Sequence, residues 1–375
     1  MKRFRIAVLN RVFSPAGGGA ETYSIRLVEQ LAVRHEVHVF AQRIEHDWPG
    51  VTYHHVSCPA ERPRWINQLW YAIATWRATR HGFDVVHSHE NTWRGNVQTI
   101  HVKTVRGNLL AGRNGWRRAA RWVKIALSPR LITNLALEAA RFRPRPGRHV
   151  VLASGALQAE AVAAYPQSAQ MMSVVTPGVS LPPAQLSKVE ARRSLGLPAH
   201  GVLLLFVAND YARKGLDTLL AAMPGLPDGV MLAVVGNARD IPAYKEKARG
   251  VQVHFLGPMN DVASAYQAAD VLVHPTLEDT FAMVVLEAMA NGLPVVVSGA
   301  AHCGISALLD DGRNAVLIAD PRDAGELAAG IGRVLGDQDF AGRLSLEGRR
   351  FAEGHSWELA ARKYEALYAL AMTPA

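Results

Sequence analysis

Short apolar runs separated by helix-length amphipathic stretches recur almost from one end of this chain to the other, and that alternation limits its fold more than any other feature. An apolar run bounded by Gly, Pro or Asn reads as a strand buried on both faces, and helices between such strands imply parallel pairing. In the first half the strands fall at 5–10, 36–42, 51–58, 84–89, 97–102 and 149–154, with helices at 21–34, 66–80, 116–127 and 156–164. The second half repeats the rhythm at 202–209, 230–237, 251–256, 271–275, 294–297 and 315–318. Two α/β sheets follow, one per half, and 375 residues are comfortable for two domains. A Pro-Gly turn at Thr176-Pro177-Gly178-Val179 sets the expected boundary, giving domains at 1–176 and 177–355. Ser356 is a good N-cap for a closing helix in 356–375, expected to pack back toward the first domain.

A hydrophobic content of 49% and a mean hydropathy of +0.02 describe a globular chain, because a disordered one lacks the apolar surface that offsets ordering entropy. No stretch of 18 consecutive apolar residues offers a membrane span. The opening "RIAVLN" reads as a first strand and not as a signal peptide. Cys58 and Cys303 are the only cysteines, which fits a reducing cytosol. The net charge is +9, yet residues 101–150 alone hold twelve Lys/Arg against one acid, Glu138. So concentrated a field implies an anionic partner: nucleic acid, lipid headgroups or a phosphorylated acceptor.

Three segments carry candidate chemistry. Pro15-Ala16-Gly17-Gly18-Gly19-Ala20-Glu21 lies between the first strand and first helix, where Gly18 lets backbone amides approach a ligand, so the loop suits a phosphate or the acceptor pocket; a tight βα turn is the plain alternative. Asn209-Asp210-Tyr211-Ala212-Arg213-Lys214-Gly215 puts Arg213 and Lys214 at a strand's carboxyl end beside a helix start, a setting suited to a diphosphate. The richest stretch runs from His274 to Met289, with Asp279 in a loop, the amides of Thr280, Phe281, Ala282 and Met283 at a helix start, and Glu287 inside that helix. Carboxylates there would repel phosphate unless they accept sugar and ribose hydroxyls, so the division of labour fits a nucleotide sugar. The bland alternative for Asp279 is a first-turn acid that stabilises the helix.

With "DVVHSH", "TIH", "TPGV", "RKG", "HPTLEDTFAMVVLEAMANGLPVV" and "SWELAARKY", the chain resembles the retaining glycosyltransferases of family four over nearly its whole length. That resemblance implies the GT-B architecture: two Rossmann-like domains whose parallel sheets face an interdomain cleft. It implies sugar contact at Asp279, where Glu is commoner, ribose contact at Glu287, diphosphate contact at Arg213 and Lys214, and a functional His101 facing sugar and acceptor. "DYARKGLD", "NDVASAYQAADVLVHP" and the basic insertion at about 103–148 are most similar to glucosyltransferases that add the first hexose to the lipopolysaccharide inner core. His87 and His89 share one strand face and read as structural. Asp337-Gln338-Asp339 spells DxD but reads as helix-end solvation, and no metal-ligand spacing occurs, so no cofactor or metal is expected.

At about 100° per residue, Arg117, Arg118, Arg121 and Lys124 fill one arc of a helix from Trp116, while Trp116, Trp122 and Val123 lie in the apolar arc; Ile125 breaks the pattern. Such a helix suits an anionic membrane interface. The plain alternative is a helix packed on the core by its apolar side. The reading is therefore a cytoplasmic enzyme, peripheral on the inner face of the membrane, moving a hexose from a UDP-sugar to a glycolipid or lipopolysaccharide-core acceptor with retention, with no nucleic-acid partner. Its rivals are a sugar-nucleotide 2-epimerase and a non-enzymatic basic membrane adaptor.

Overall fold

A computed structural model describes the chain except Met1, Ala16, Gly17, Ala111, Arg113, Pro183, Ala184, Gln185, Asn260, Thr373, Pro374 and Ala375. Two compact units form: Met1–Pro177 with Trp357–Ala375, and Gly178–Ser356.

The first unit is built on a seven-stranded parallel sheet in the order Val51–His55, Glu36–Ala41, Arg5–Leu9, Val85–Ser88, Val97–Ile100, His149–Leu152, Met172–Val174. The second has six parallel strands in the order Val253–Gly257, Met231–Gly236, Leu203–Ala208, Val271–His274, Val295–Ser298, Val316–Ile318. Both are doubly wound. The chain steps outward from Arg5–Leu9 in one direction and then restarts on its other side at Val85–Ser88; Leu203–Ala208 and Val271–His274 repeat the move. Loops at the carboxyl ends of such a pair diverge to opposite faces and leave a crevice, the usual ligand position in open α/β sheets. The strands are apolar because both faces are covered: all six residues of Leu203–Ala208 and of Met231–Gly236 are buried.

The closing helix Trp357–Met372 belongs to the first unit through a chain of buried hydroxyls and rings. Tyr368 Oη lies 2.7 Å from His87 Nδ1, His87 Nε2 is 2.7 Å from Thr99 Oγ1, and Thr99 Oγ1 is 2.8 Å from Tyr364 Oη, which meets Tyr23 Oη at 2.8 Å. Every member would be costly to bury unpaired, so the chain holds helix to sheet.

The basic insertion contains three helices, Val105–Leu110, Gly115–Ala126 and Pro129–Arg141. Gly115–Ala126 is the expected amphipathic helix, but the core-packed alternative fails. Its one buried residue is Ile125, from within the basic arc, whereas Trp116, Trp122 and Leu127 are 75%, 49% and 79% exposed. The helix rests on Pro129–Arg141 by its mixed side and turns its apolar side outward. The basic field also needs correcting. Arg141 and Arg148 are buried, donating to the carbonyls of Thr99 and of Ala140 and Trp93, so they serve the interior; Arg113 lies outside the described residues. Among the described residues no helix is long and apolar enough to cross a membrane.

Burial pushes the His87 and His101 imidazoles down to about 3, helped by the neighbouring Arg141 guanidinium. Bases whose pKa is lower folded than unfolded bind fewer protons in the native state, so their contribution to stability falls as pH drops below the unfolded value. The melting temperature should therefore decline between about pH 7 and pH 5, where carboxylates still stay ionised; an unchanged melting temperature across that interval would contradict a buried neutral cluster.

Candidate donor and acceptor sites

In the second unit three loops meet at the carboxyl ends of neighbouring strands. The first follows Leu203–Ala208. Tyr211 is fully buried against Phe206 and Tyr244, which pins the loop and leaves Arg213 and Lys214 at its far end. Gly215 then adopts φ 83° ahead of the helix Leu216–Ala222, and a Cβ there would stand 1.9 Å from the Pro275 carbonyl oxygen. Only glycine allows that approach. The Leu277 amide also donates to the Arg213 carbonyl at 2.9 Å, which locks the first loop to the second.

The lock sets Lys214 against Asp279. Lys214 Nζ lies 2.5 Å from Asp279 Oδ2 and 2.9 Å from the Glu278 carbonyl, with both side chains mostly buried. His274 Nε2 reaches the same Oδ2 at 3.3 Å, while Oδ1 accepts the Phe281 and Ala282 amides at 3.2 and 2.8 Å. Burial pushes the carboxyl up, but these donors and the Lys214 charge prevail and hold it well below the usual range. Burial likewise drives the His274 imidazole down, so the ring donates as neutral Nε2–H.

The expectation that the Phe281 and Ala282 amides are open to a diphosphate is corrected here: Asp279 takes both, and both side chains are in the core. Asp279 thereby stabilises the backbone that bears Ala282, the one non-glycine residue with positive φ (71°) among the described residues, at the start of the helix Met283–Ala290. A left-handed alanine costs about 1–2 kcal/mol, and such strain persists only where surrounding bonds over-determine it. Glu287, four residues into that helix, accepts the buried Tyr266 hydroxyl at 2.8 Å. Arg213 is 56% exposed and only loosely paired with Asp210, leaving its guanidinium in water at the loop's edge.

The sequence marks a third loop only by a glycine, Gly299, directly after a strand. Following Val295–Ser298, His302 accepts the Asp279 amide through its carbonyl at 2.8 Å, the Gly304 amide donates to the Asp279 carbonyl at 3.0 Å and the Ile305 amide to the Phe281 carbonyl at 2.9 Å. It fixes the Asp279 backbone as the first loop fixes its side chain.

In the first unit, Gly18 (φ 140°) precedes the helix Gly19–Ala32, and Tyr23 of that helix packs its ring 4.8 Å from His101. His101 stacks on His89 at an interplanar angle of 7°, with His89 Nδ1 3.0 Å from His101 Nε2. His87 packs beside His89, so the histidine pair read as structural packs behind His101, the one expected to be functional. Ala16 and Gly17 lie outside the described residues. Asp337 caps the helix Gln338–Glu353 through the Phe340 amide. No group of three or more His, Cys, Asp or Glu side chains among the described residues could hold a metal ion. Two surface clefts, about 500 and 620 Å³, involve none of the candidate residues.

Comparison with known proteins accords with this geometry. The glycosyltransferase family 4 model matches residues 17–181, and the group 1 glycosyl transferase model matches residues 201–337. A D-inositol 3-phosphate glycosyltransferase of Geodermatophilus obscurus is 31% identical across 98% of this chain and 89% of its own, and one of Xylanimonas cellulosilytica is 28% identical across 98% and 97%. The solved structure of WaaG, a glycosyltransferase involved in lipopolysaccharide biosynthesis, superposes with a TM-score of 0.81 at 22% identity over 97% of this chain and 99% of that one. HepE of Anabaena in complex with UDP-glucose gives 0.74 at 19% identity over 98% and 100%. The chain belongs to the group 1/family 4 glycosyltransferases, and its two units have the GT-B fold.

Gly215→Ala should destabilise the second unit by about 3 kcal/mol or more, since a Cβ meets a carbonyl and an alanine at that φ is itself strained. Denaturant unfolding of the variant with an unchanged midpoint would refute the close approach.

Proposed function

We propose that this glycosyltransferase moves a hexose, glucose favoured, from UDP-hexose to a glycolipid or oligosaccharide acceptor in lipopolysaccharide core or related envelope glycan synthesis, with retention and with no metal required. The observation that carries the donor half is the Lys214–Asp279 pair at the second unit's switch point, with Glu287 on the helix Met283–Ala290 that follows it. Arg213 and Lys214 would face the diphosphate, Glu287 the ribose and Asp279 the sugar, with the Thr280 to Met283 segment shaping the pocket. The acceptor would be held by the first unit, with the Gly18 helix start and His101 facing the reacting groups. His101 is neutral and tied to His89, which suits positioning rather than proton uptake. The acceptor oxygen would bond to the anomeric carbon as the carbon–phosphate-oxygen bond breaks, its proton passing to the departing phosphate, whose growing charge Arg213 and Lys214 stabilise.

The relatives named as inositol 3-phosphate glycosyltransferases favour a second acceptor class, a phosphorylated cyclitol. Assaying UDP-glucose against core glycolipid and against inositol phosphate separates the two. Glu287→Gln should weaken donor use by more than about tenfold, because a charged hydrogen-bond partner leaves a desolvated site. Wild-type kinetics in the folded variant would remove the ribose role.

For the membrane half, the exposed Trp116 and Trp122 beside Arg117, Arg118, Arg121 and Lys124 support docking on anionic lipid at the inner face of the cytoplasmic membrane. Arg121 is half-buried, so the sharper test reverses Arg117, Arg118 and Lys124 to Glu. Wild type should float with anionic but not zwitterionic vesicles and lose them as salt screens the charges beyond about 8 Å. The triple variant should stay behind; equal flotation would remove the anchor.

A further inference from the structure

Asp279 holds more donors than a sugar ligand has room for. An ionised carboxylate presents about four lone-pair directions. Phe281 and Ala282 amides occupy Oδ1, and Lys214 Nζ and His274 Nε2 occupy Oδ2. A sugar hydroxyl donating to Asp279 must therefore displace a donor already in place. Three of the four are immobile. Two are main-chain amides in a segment laced to the 302–305 loop, and the third belongs to a histidine buried at the end of the strand Val271–His274. Lys214 alone reaches Asp279 on a flexible stem, and it comes from the loop expected to carry the diphosphate.

Resting on the reading of this cluster as a nucleotide-sugar site, we propose that the donor exchanges the Lys214–Asp279 ion pair: its diphosphate takes the Lys214 ammonium, and the vacated Oδ2 direction of Asp279 accepts a hydroxyl of the transferred sugar. Neither half of the exchange is favourable alone. Drawing the ammonium from a carboxylate that is 16% exposed leaves a largely buried charge short of a partner. A free hexose has no charge with which to attract Lys214, and a nucleoside diphosphate without sugar leaves Asp279 with an empty direction. Only a ligand carrying both groups satisfies both residues. The ion pair thus makes sugar recognition conditional on the diphosphate, and this specificity lies in Lys214 and Asp279 competing for each other.

The exchange predicts signs opposite to those of a fixed scaffold. Isothermal titration of UDP and UDP-glucose into wild type, Asp279→Asn and Lys214→Met measures them. Asn keeps an oxygen for the two amides but no longer retains the ammonium, so Asp279→Asn should bind UDP about threefold or more tighter than wild type while its preference for UDP-glucose over UDP falls about fivefold or more. Lys214→Met should bind UDP about tenfold or more weaker, yet keep or increase the preference for UDP-glucose, because Asp279 is then permanently open. Asp279→Asn binding UDP no tighter than wild type overturns the exchange, as does Lys214→Met losing its preference for the sugar; either result makes the pair a static scaffold. Wild type binding neither ligand overturns the UDP-sugar reading itself, an outcome distinct from both.

Discussion

The second unit's candidate site depends on one close approach, that of Gly215 to the Pro275 carbonyl. Two strands adjacent in the sheet but far apart in sequence end there, and their loops leave for opposite faces. Without a contact at backbone distance the loops would be independent, and Lys214 would be a solvated cation on a flexible stem. With it, the ammonium is delivered to a carboxylate that burial alone would discourage from ionising. The same carboxylate holds two amides and so sustains the left-handed Ala282 and the helix bearing Glu287. Steric, electrostatic and conformational constraints converge on one residue, Asp279.

The first unit reaches order at its switch point by other means. Its ring cluster of His87, His89, His101, Tyr23, Tyr364 and Tyr368 is neutral because burial makes charge too costly, and it is tied together by mutual hydrogen bonds instead of ion pairs, although His89 Nε2 is buried without a hydrogen-bond partner among the described residues. Neutral rings can pack at van der Waals distance as well as hydrogen-bond, so the closing helix is fastened and His101 is oriented by the same set of contacts. Where the second unit uses charge held in tension, the first uses a rigid neutral network.

The basic insertion shows that charge counted along a sequence is not charge presented at a surface. Arg141 and Arg148 are spent on buried carbonyls, whereas Arg117, Arg118 and Lys124 remain in water beside exposed tryptophans. The helical wheel correctly separated the two sides of Gly115–Ala126, but Ile125, its single exception, proved to be the contact that seats the helix. A wheel ranks side chains by polarity around one axis; which side faces the protein depends on what the neighbouring helix offers.

The sequence by itself determined the two parallel sheets and most of their strands, though not the edge strand Met172–Val174 or the helix Pro129–Arg141, and it singled out Arg213, Lys214, Asp279 and Glu287 as candidates, because buried strands must be apolar and the segments at their carboxyl ends must carry whatever polar chemistry the chain has. It also contains the pattern of the 299–305 loop, which does not stand out since a lone glycine after a strand is common. Only the tertiary structure decided that Asp279 is already saturated, that Ala282 is strained, that His89 supports His101 and that the tryptophan side of the basic helix faces outward. Each of those facts joins residues distant in sequence through distances of a few ångström, and a one-dimensional pattern records residue types and spacings but no distance between strands that the fold brings side by side.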